Sequence, residues 1–179
     1  MEEFKRLDRK LVYKGSIIDF YKDTVQVPNG NVVEWDFIGH QGAAAVVPVR
    51  EDGKILMVRQ FRNALDRYTL EIPAGGLNSV SEPTKDAAAR ELKEETGYSS
   101  DHLEFLISIR TTVAFCNEKI DIYVADGLKP GNQKLDEDEF INVEAYDVEE
   151  LCQMIYEGKI EDSKTISAIM SYKNKYCKD

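Results

Sequence analysis

Apolar positions follow two different rhythms along the chain. Before residue 40 they alternate with polar ones, as in Thr24-Val25-Gln26-Val27 within residues 17–27. Pro28-Asn29-Gly30 then supplies a turn, and residues 32–38 resume an extended, β-branched and aromatic pattern. This predicts a small antiparallel β region over residues 1–40, two or three strands that need something to pack on. From Gly42 the rhythm changes. Residues 43–49 form a continuous apolar run, which suits a strand buried on both faces. Glu51-Asp52-Gly53-Lys54 reads as a turn and residues 55–58 as a second strand, while residues 59–69 are polar and read as irregular. A helix is predicted over 82–97: Glu82-Pro83 opens it with proline in the first helical position, Ala87-Ala88-Ala89 and Leu92 favour it, and Gly97 ends it. Strands follow at 103–109, 120–124 and 141–143. Asp147 and Glu150 have capping-box spacing before Leu151, Met154 and Ile155. A last helix starts near Ser163, with Ile166, Ile169 and Met170 on one face. The pattern gives an α/β domain over 41–179 preceded by the β region.

Bulk properties narrow the classes. A chain of 179 residues, 42% hydrophobic, can bury one substantial core. It has no run of eighteen apolar residues, and its opening Met-Glu-Glu-Phe-Lys-Arg lacks a signal-peptide layout, so no membrane association is expected. Cys116, Cys152 and Cys177 are odd in number, widely spaced and free of any CxxC pair, which predicts a reducing, cytoplasmic setting. The net charge of −10 opposes nucleic-acid binding. It remains compatible with a phosphorylated substrate, because divalent cations can sit between carboxylates and phosphates.

The predicted helix carries an arrangement that stability alone disfavours. Glu91, Glu94 and Glu95 stand at i, i+3 and i+4 and so share a face. Like charges at those spacings cost roughly 0.2–0.5 kcal/mol per pair, and anions near a helix C-terminus oppose the dipole. A solvated acidic face is one reading. The other is a divalent cation, which needs several hard oxygen ligands on a rigid support.

The surrounding residues favour the cation. Gly76, Glu82 and the string Arg90-Glu91-Leu92-Lys93-Glu94-Glu95-Thr96-Gly97-Tyr98 resemble the Nudix box, G-x5-E-x7-R-E-U-x-E-E-x-G-U, at every fixed position. The resemblance implies a Nudix fold, a mixed β-sheet sandwiched between helices, and pyrophosphate hydrolysis with Mg²⁺, for which Mn²⁺ can substitute. It implies Glu91 and Glu95 as principal metal ligands, Glu94 sharing a further ion, and the Ala74 carbonyl completing the set. Glu94 and Glu95 are then also catalytic, whereas Gly76, Glu82, Arg90 and Gly97 hold the motif together.

Beyond the box, Gln41-Gly42-Ala43-Ala44-Ala45-Val46-Val47, Arg59-Gln60-Phe61-Arg62 and Glu71-Ile72-Pro73-Ala74-Gly75 resemble the ADP-ribose pyrophosphatase branch. That likeness implies cleavage of a nucleoside diphosphate derivative, ADP-ribose first, to AMP and ribose 5-phosphate. Arg62 is expected on the diphosphate, with Glu71 beside the site. The acidic run Asp136-Glu137-Asp138-Glu139 supplies the expected base at Glu139, with Glu137 near the substrate as its reserve. Trp35 is expected to stack on the base or to sit in an interface or in the core. Residues 1–40 are expected to form a homodimer. The chain departs from the branch at residues 110–115, which lack its usual proline, and at Trp35-Asp36, where relatives often read Arg-Glu. Another nucleotide sugar such as GDP-mannose, a dinucleotide such as NADH, or a non-catalytic ADP-ribose-sensing role are the alternatives.

Overall fold

The computed structural model describes residues 3–135, 137 and 139–177. The two rhythms of the sequence end up in two compact units, one comprising the chain up to Gly42 with Arg110–Lys119, the other Ala43–Ile109 with residues from Ile120 onward. In the first unit β1 (Lys5–Lys14), β2 (Asp19–Gln26) and β3 (Val32–Gly39) form an antiparallel meander in that order. β1 is the longest strand among the described residues and has no clear signature in the sequence. Its charges at Lys5, Arg6, Asp8, Arg9, Lys10 and Lys14 mask the alternation, and the register slips after Arg6 and after Leu11. Arg9 anchors the strand by a fork to the buried Asp23 at 2.6 Å and by stacking 3.7 Å over the Phe37 ring. Residues 110–119 join this unit where the Ile38 amide donates to the Phe115 carbonyl.

In the second unit a mixed sheet has the order β7 (Ala74–Gly76), β4 (Ala43–Pro48), β9 (Lys119–Asp126), β8 (His102–Arg110), with β4 and β9 parallel and β7 antiparallel to β4. β4 is buried at every position, as its unbroken apolar run requires. Its alternate residues serve opposite faces. Ala44 and Val46 pack with Ala87, Ala88 and Leu92 of α1 (Thr84–Thr96), where small side chains let the helix lie close. Ala45 and Val47 join Ile122, Leu151, Ile160 and Ile169 on the other face, under α2 (Val148–Tyr156) and α3 (Ser163–Tyr176). The sheet is thus sandwiched between helices. A second antiparallel sheet, β10 (Ile141–Tyr146), β5 (Ile55–Arg62), β6 (Arg67–Glu71), contributes Ile55, Met57 and Leu70 to the same core.

Three local expectations need correction. Residues 59–69 are not irregular: β5 continues through Arg62 and β6 starts at Arg67, with Asp66 taking a left-handed conformation in the turn at φ 51°. The polar character there reflects a hairpin projecting beyond the core, since Phe61 and Tyr68 are exposed and meet edge-on. Helix α1 starts at Thr84, not Glu82, because Pro83 sits extended at ψ 127° as the capping residue. Asp147 precedes α2 but caps it with no side-chain hydrogen bond; its carboxylate pairs with Lys54 instead.

Candidate active site

The centre of the site is the contact between α1 and the β7 backbone. Glu91 and Glu95 lie one turn apart on the helix face turned towards the sheet, and both are buried. The Ala74 amide donates to Glu95 Oε2 at 3.1 Å. The Glu91 carboxylate lies so tightly against Gly75 that a Cβ there would fall inside it, so the motif needs glycine at this close approach. Arg90 gathers the rest of the box: it donates to Glu91 (2.5 Å), to Glu94 (3.1 Å), to Glu82 (3.4 Å) and to the Gly76 carbonyl (3.0 Å). Glu82 also accepts the Asn78 amide, which closes the loop between β7 and α1. Gly97 ends the helix at φ 76°, its amide donating to the Lys93 carbonyl.

The electrostatics of this contact favour an added cation. Burial pushes the Glu95 carboxyl up to about 8, with the Glu91 charge adding to the effect and the Ala74 amide opposing it. Burial raises Glu91 as well, against the pull of Arg90. Two carboxylates pressed together out of water are costly unless a positive charge joins them. Glu91, Glu95, the more exposed Glu94 and the Ala74 carbonyl are the oxygen donors that could hold a hard divalent ion here. Glu91 and Glu94 here turn towards Arg90, so among the described residues no three acidic side chains close into a cage. The buried carboxylate pair and the glycine cradle nonetheless fit such an ion.

Beside this centre stands a second charged cluster. Arg62 forks onto Glu71 through Nε (2.8 Å) and Nη2 (2.6 Å), and Thr69 donates to the same carboxylate at 2.6 Å. Lys164, from the first turn of α3, donates to Glu71 as well. Burial alone would raise the Glu71 carboxyl, but Arg62, Lys164 and Thr69 outweigh it and bring it down to about 2. A cavity of about 540 Å³ opens here, walled by Arg62, Leu65, Arg67, Glu71, Glu161 and Lys164. Arg62 feels the charge of Glu95, and Glu95 feels that of Lys164, so the cluster lies within electrostatic reach of the helix carboxylates. Arg59, from the same Arg-Gln-Phe-Arg string, is instead paired with Glu144.

The loop before β10 comes back onto the C-terminal end of α1. The Lys134 amide donates to the Glu94 carbonyl and the Gln133 side chain to the Glu95 carbonyl. Glu139, just ahead of β10, lies within electrostatic reach of the box, where its charge helps raise both Glu91 and Glu95. Glu137 is exposed. Asp136 and Asp138 of the same run lie outside the described residues. Trp35 stands on β3, half exposed, beside Phe4 at 6.1 Å between ring centres. Sequence reasoning did not single out Lys164, Thr69 or Gln133. Lys164 and Gln133 act through partners distant in sequence, whereas Thr69 acts on Glu71 two residues along the same strand; the Asp162/Thr165 spacing at the start of α3 offered a local signal for the Lys164 turn.

Comparison with known proteins identifies the family. The NUDIX domain model matches residues 39–169. The chain is 39% identical over 169 residues to a protein named methanol dehydrogenase activator from Bacillus methanolicus, covering 93% of this chain and 91% of the relative. It is 37% identical over 169 residues to an ADP-ribose pyrophosphatase of Bacillus subtilis, with the same coverage, and 30% identical to one of Mycobacterium tuberculosis over 94% of this chain and 83% of the relative. A crystal structure of an ADP compounds hydrolase superposes with a TM-score of 0.85 at 20% identity, covering 97% of this chain and 94% of that one, which bears on the fold. With a domain match over most of its length and relatives aligned nearly end to end, the chain belongs to the Nudix hydrolase family.

Proposed function

We propose that the protein hydrolyses the pyrophosphate bond of a nucleoside diphosphate derivative with Mg²⁺, ADP-ribose being the preferred substrate and AMP and ribose 5-phosphate the products. The observation that carries this reading is the pair of buried carboxylates, Glu91 and Glu95, packed on the Ala74-Gly75 backbone with Arg62 nearby. The similarity to ADP-ribose pyrophosphatases supports the substrate. Divalent cations supply neutralisation of the diphosphate and activation of water. Glu91, Glu95, Glu94 and the Ala74 carbonyl hold them, and Arg62 donates to a diphosphate oxygen. Glu139 accepts the proton of the attacking water, and Arg90 keeps the box glutamates in place. Comparing kcat/KM for ADP-ribose, GDP-mannose and UDP-glucose tests the assignment. ADP-ribose is expected to lead, and a tenfold preference for either of the other two rejects it.

We also propose a homodimer built on residues 1–40. Phe4, Leu7, Leu11, Val12, Val32 and Trp35 remain exposed on a three-stranded sheet that buries only Val25 and Asp23 well. Such a sheet is marginal without a partner surface. Light scattering at micromolar concentration is expected to give twice the chain mass, and a version starting near Gly39 to be monomeric or aggregated. A well-behaved full-length monomer counts against it. Among the described residues no helix is long and apolar enough to cross a membrane. We also propose a reducing, cytoplasmic setting, in which the free Cys116, Cys152 and Cys177 persist as thiols.

A further inference from the structure

Helix α3 begins on a buried polar node that the Nudix box does not contain. Asp162 caps the helix, its Oδ2 accepting from the Thr165 amide (3.0 Å), the Thr165 hydroxyl (2.6 Å) and Lys164 Nζ (3.0 Å). Thr165 Oγ1 in turn accepts the Ile72 amide at 3.0 Å. Lys164 also donates to Glu71, so the first turn of α3 is fastened to two consecutive residues just ahead of Ala74. Lys164 is 8% exposed and Glu71 3%, an unusual depth for both charges.

We propose that Lys164 is a positioning residue which carries the charge of Glu71 and thereby leaves Arg62 able to engage the diphosphate. A buried carboxylate with a single cationic partner locks that partner, because withdrawing it strands a charge out of water. Glu71 has two. Arg62 uses Nε and Nη2 on Glu71, while its Nη1 has no hydrogen-bond partner among the described residues and its side chain, 38% exposed, borders the cavity. When Arg62 turns towards an anion, Lys164 stays on Glu71, held in line by Asp162. Lys164 borders the same cavity, but its ammonium is already committed to the carboxylates of Glu71 and Asp162.

This rests on the reading of Arg62 as a diphosphate ligand, so the experiment separates the two. Steady-state kinetics with ADP-ribose and Mg²⁺ are compared for R62A, K164M, K164R and the double variant E71Q/K164M. R62A is expected to raise KM about tenfold or more, as loss of a charged hydrogen bond does. K164M is expected to raise KM by a similar factor with kcat nearly unchanged, and K164R to restore it. The double variant is expected to recover much of the KM, since a neutral amide at position 71 no longer holds Arg62. Should K164M not fold, K164Q reads the same KM. An unchanged KM in R62A overturns the role of Arg62. A raised KM in R62A beside a normal KM in K164M overturns the role of Lys164, and so does a raised KM in K164M that E71Q fails to recover.

Discussion

Glu95→Gln is expected to remove most turnover while leaving the metal-free protein at least as stable as the parent. Loss of an outer partner of a metal ligand costs ~10–100-fold, and loss of a principal ligand is expected to exceed that range. The stability half follows from burial. Glu95 is 3% exposed, one turn from the buried Glu91, and its carboxyl is held up to about 8 by burial and that neighbour. A glutamine amide has nearly the shape of the protonated acid, and its oxygen can still accept the Ala74 amide. The substitution therefore removes the cost of holding this carboxyl protonated above its ordinary range, or charged beside Glu91, and keeps its hydrogen bond. Thermal unfolding with and without Mg²⁺ checks both halves. The parent is expected to gain stability from Mg²⁺ by ligand linkage, and the variant to lose that gain without losing its metal-free Tm. Near-normal turnover at saturating Mg²⁺, or an undiminished Mg²⁺ gain, removes Glu95 from the ligand set.

The helix-and-glycine part of this arrangement was legible in the sequence because it is local. Glu91, Glu94 and Glu95 are fixed on one helix face by 3.6-residue geometry, and Gly76, Arg90 and Gly97 stand at fixed distances from them. The unbroken apolar run of β4 likewise announced a strand buried on both faces. Of the second cluster, Arg62 and Glu71 were named through the family resemblance, but their ties to Thr69 and Lys164 were not legible. Glu71 and Lys164 are 93 residues apart, and nothing near Lys164 distinguishes it from a surface lysine at the start of a helix. The β5–β6 hairpin was read as irregular because its strands extend past the core, where cross-strand pairs such as Phe61 with Tyr68 replace inward-facing apolar residues. β1 was hidden in the same way, its pairing resting on Arg9 with Asp23 and on backbone hydrogen bonds. Local periodicity thus put the glutamates on one helix face and the family resemblance gave them their expected roles, while the pairing of Glu71 with Lys164 is long-range and leaves no mark on either local sequence.

Glu139→Gln is expected to lower kcat on the order of 10²–10⁴-fold with little change in KM, the effect of removing a general base. Carboxylates committed to cations are weak bases, which disfavours Glu91 and Glu95 for this step. Glu139 is the remaining carboxylate whose charge acts on both of them, and it stands two residues before β10 begins at Ile141. Earlier in the same loop, Gln133 and Lys134 hydrogen-bond to the end of α1. Glu137 is exposed on the same loop and is not among the main charges that raise the helix carboxyls. Glutamine preserves the size and hydrogen-bonding reach of the side chain and removes only its capacity to accept a proton. Single-turnover measurements at saturating ADP-ribose isolate the chemical step from product release. A large loss in Glu137→Gln with a near-normal Glu139→Gln transfers the role one alternate position along the loop. Near-normal rates in both take the step away from the loop carboxylates altogether.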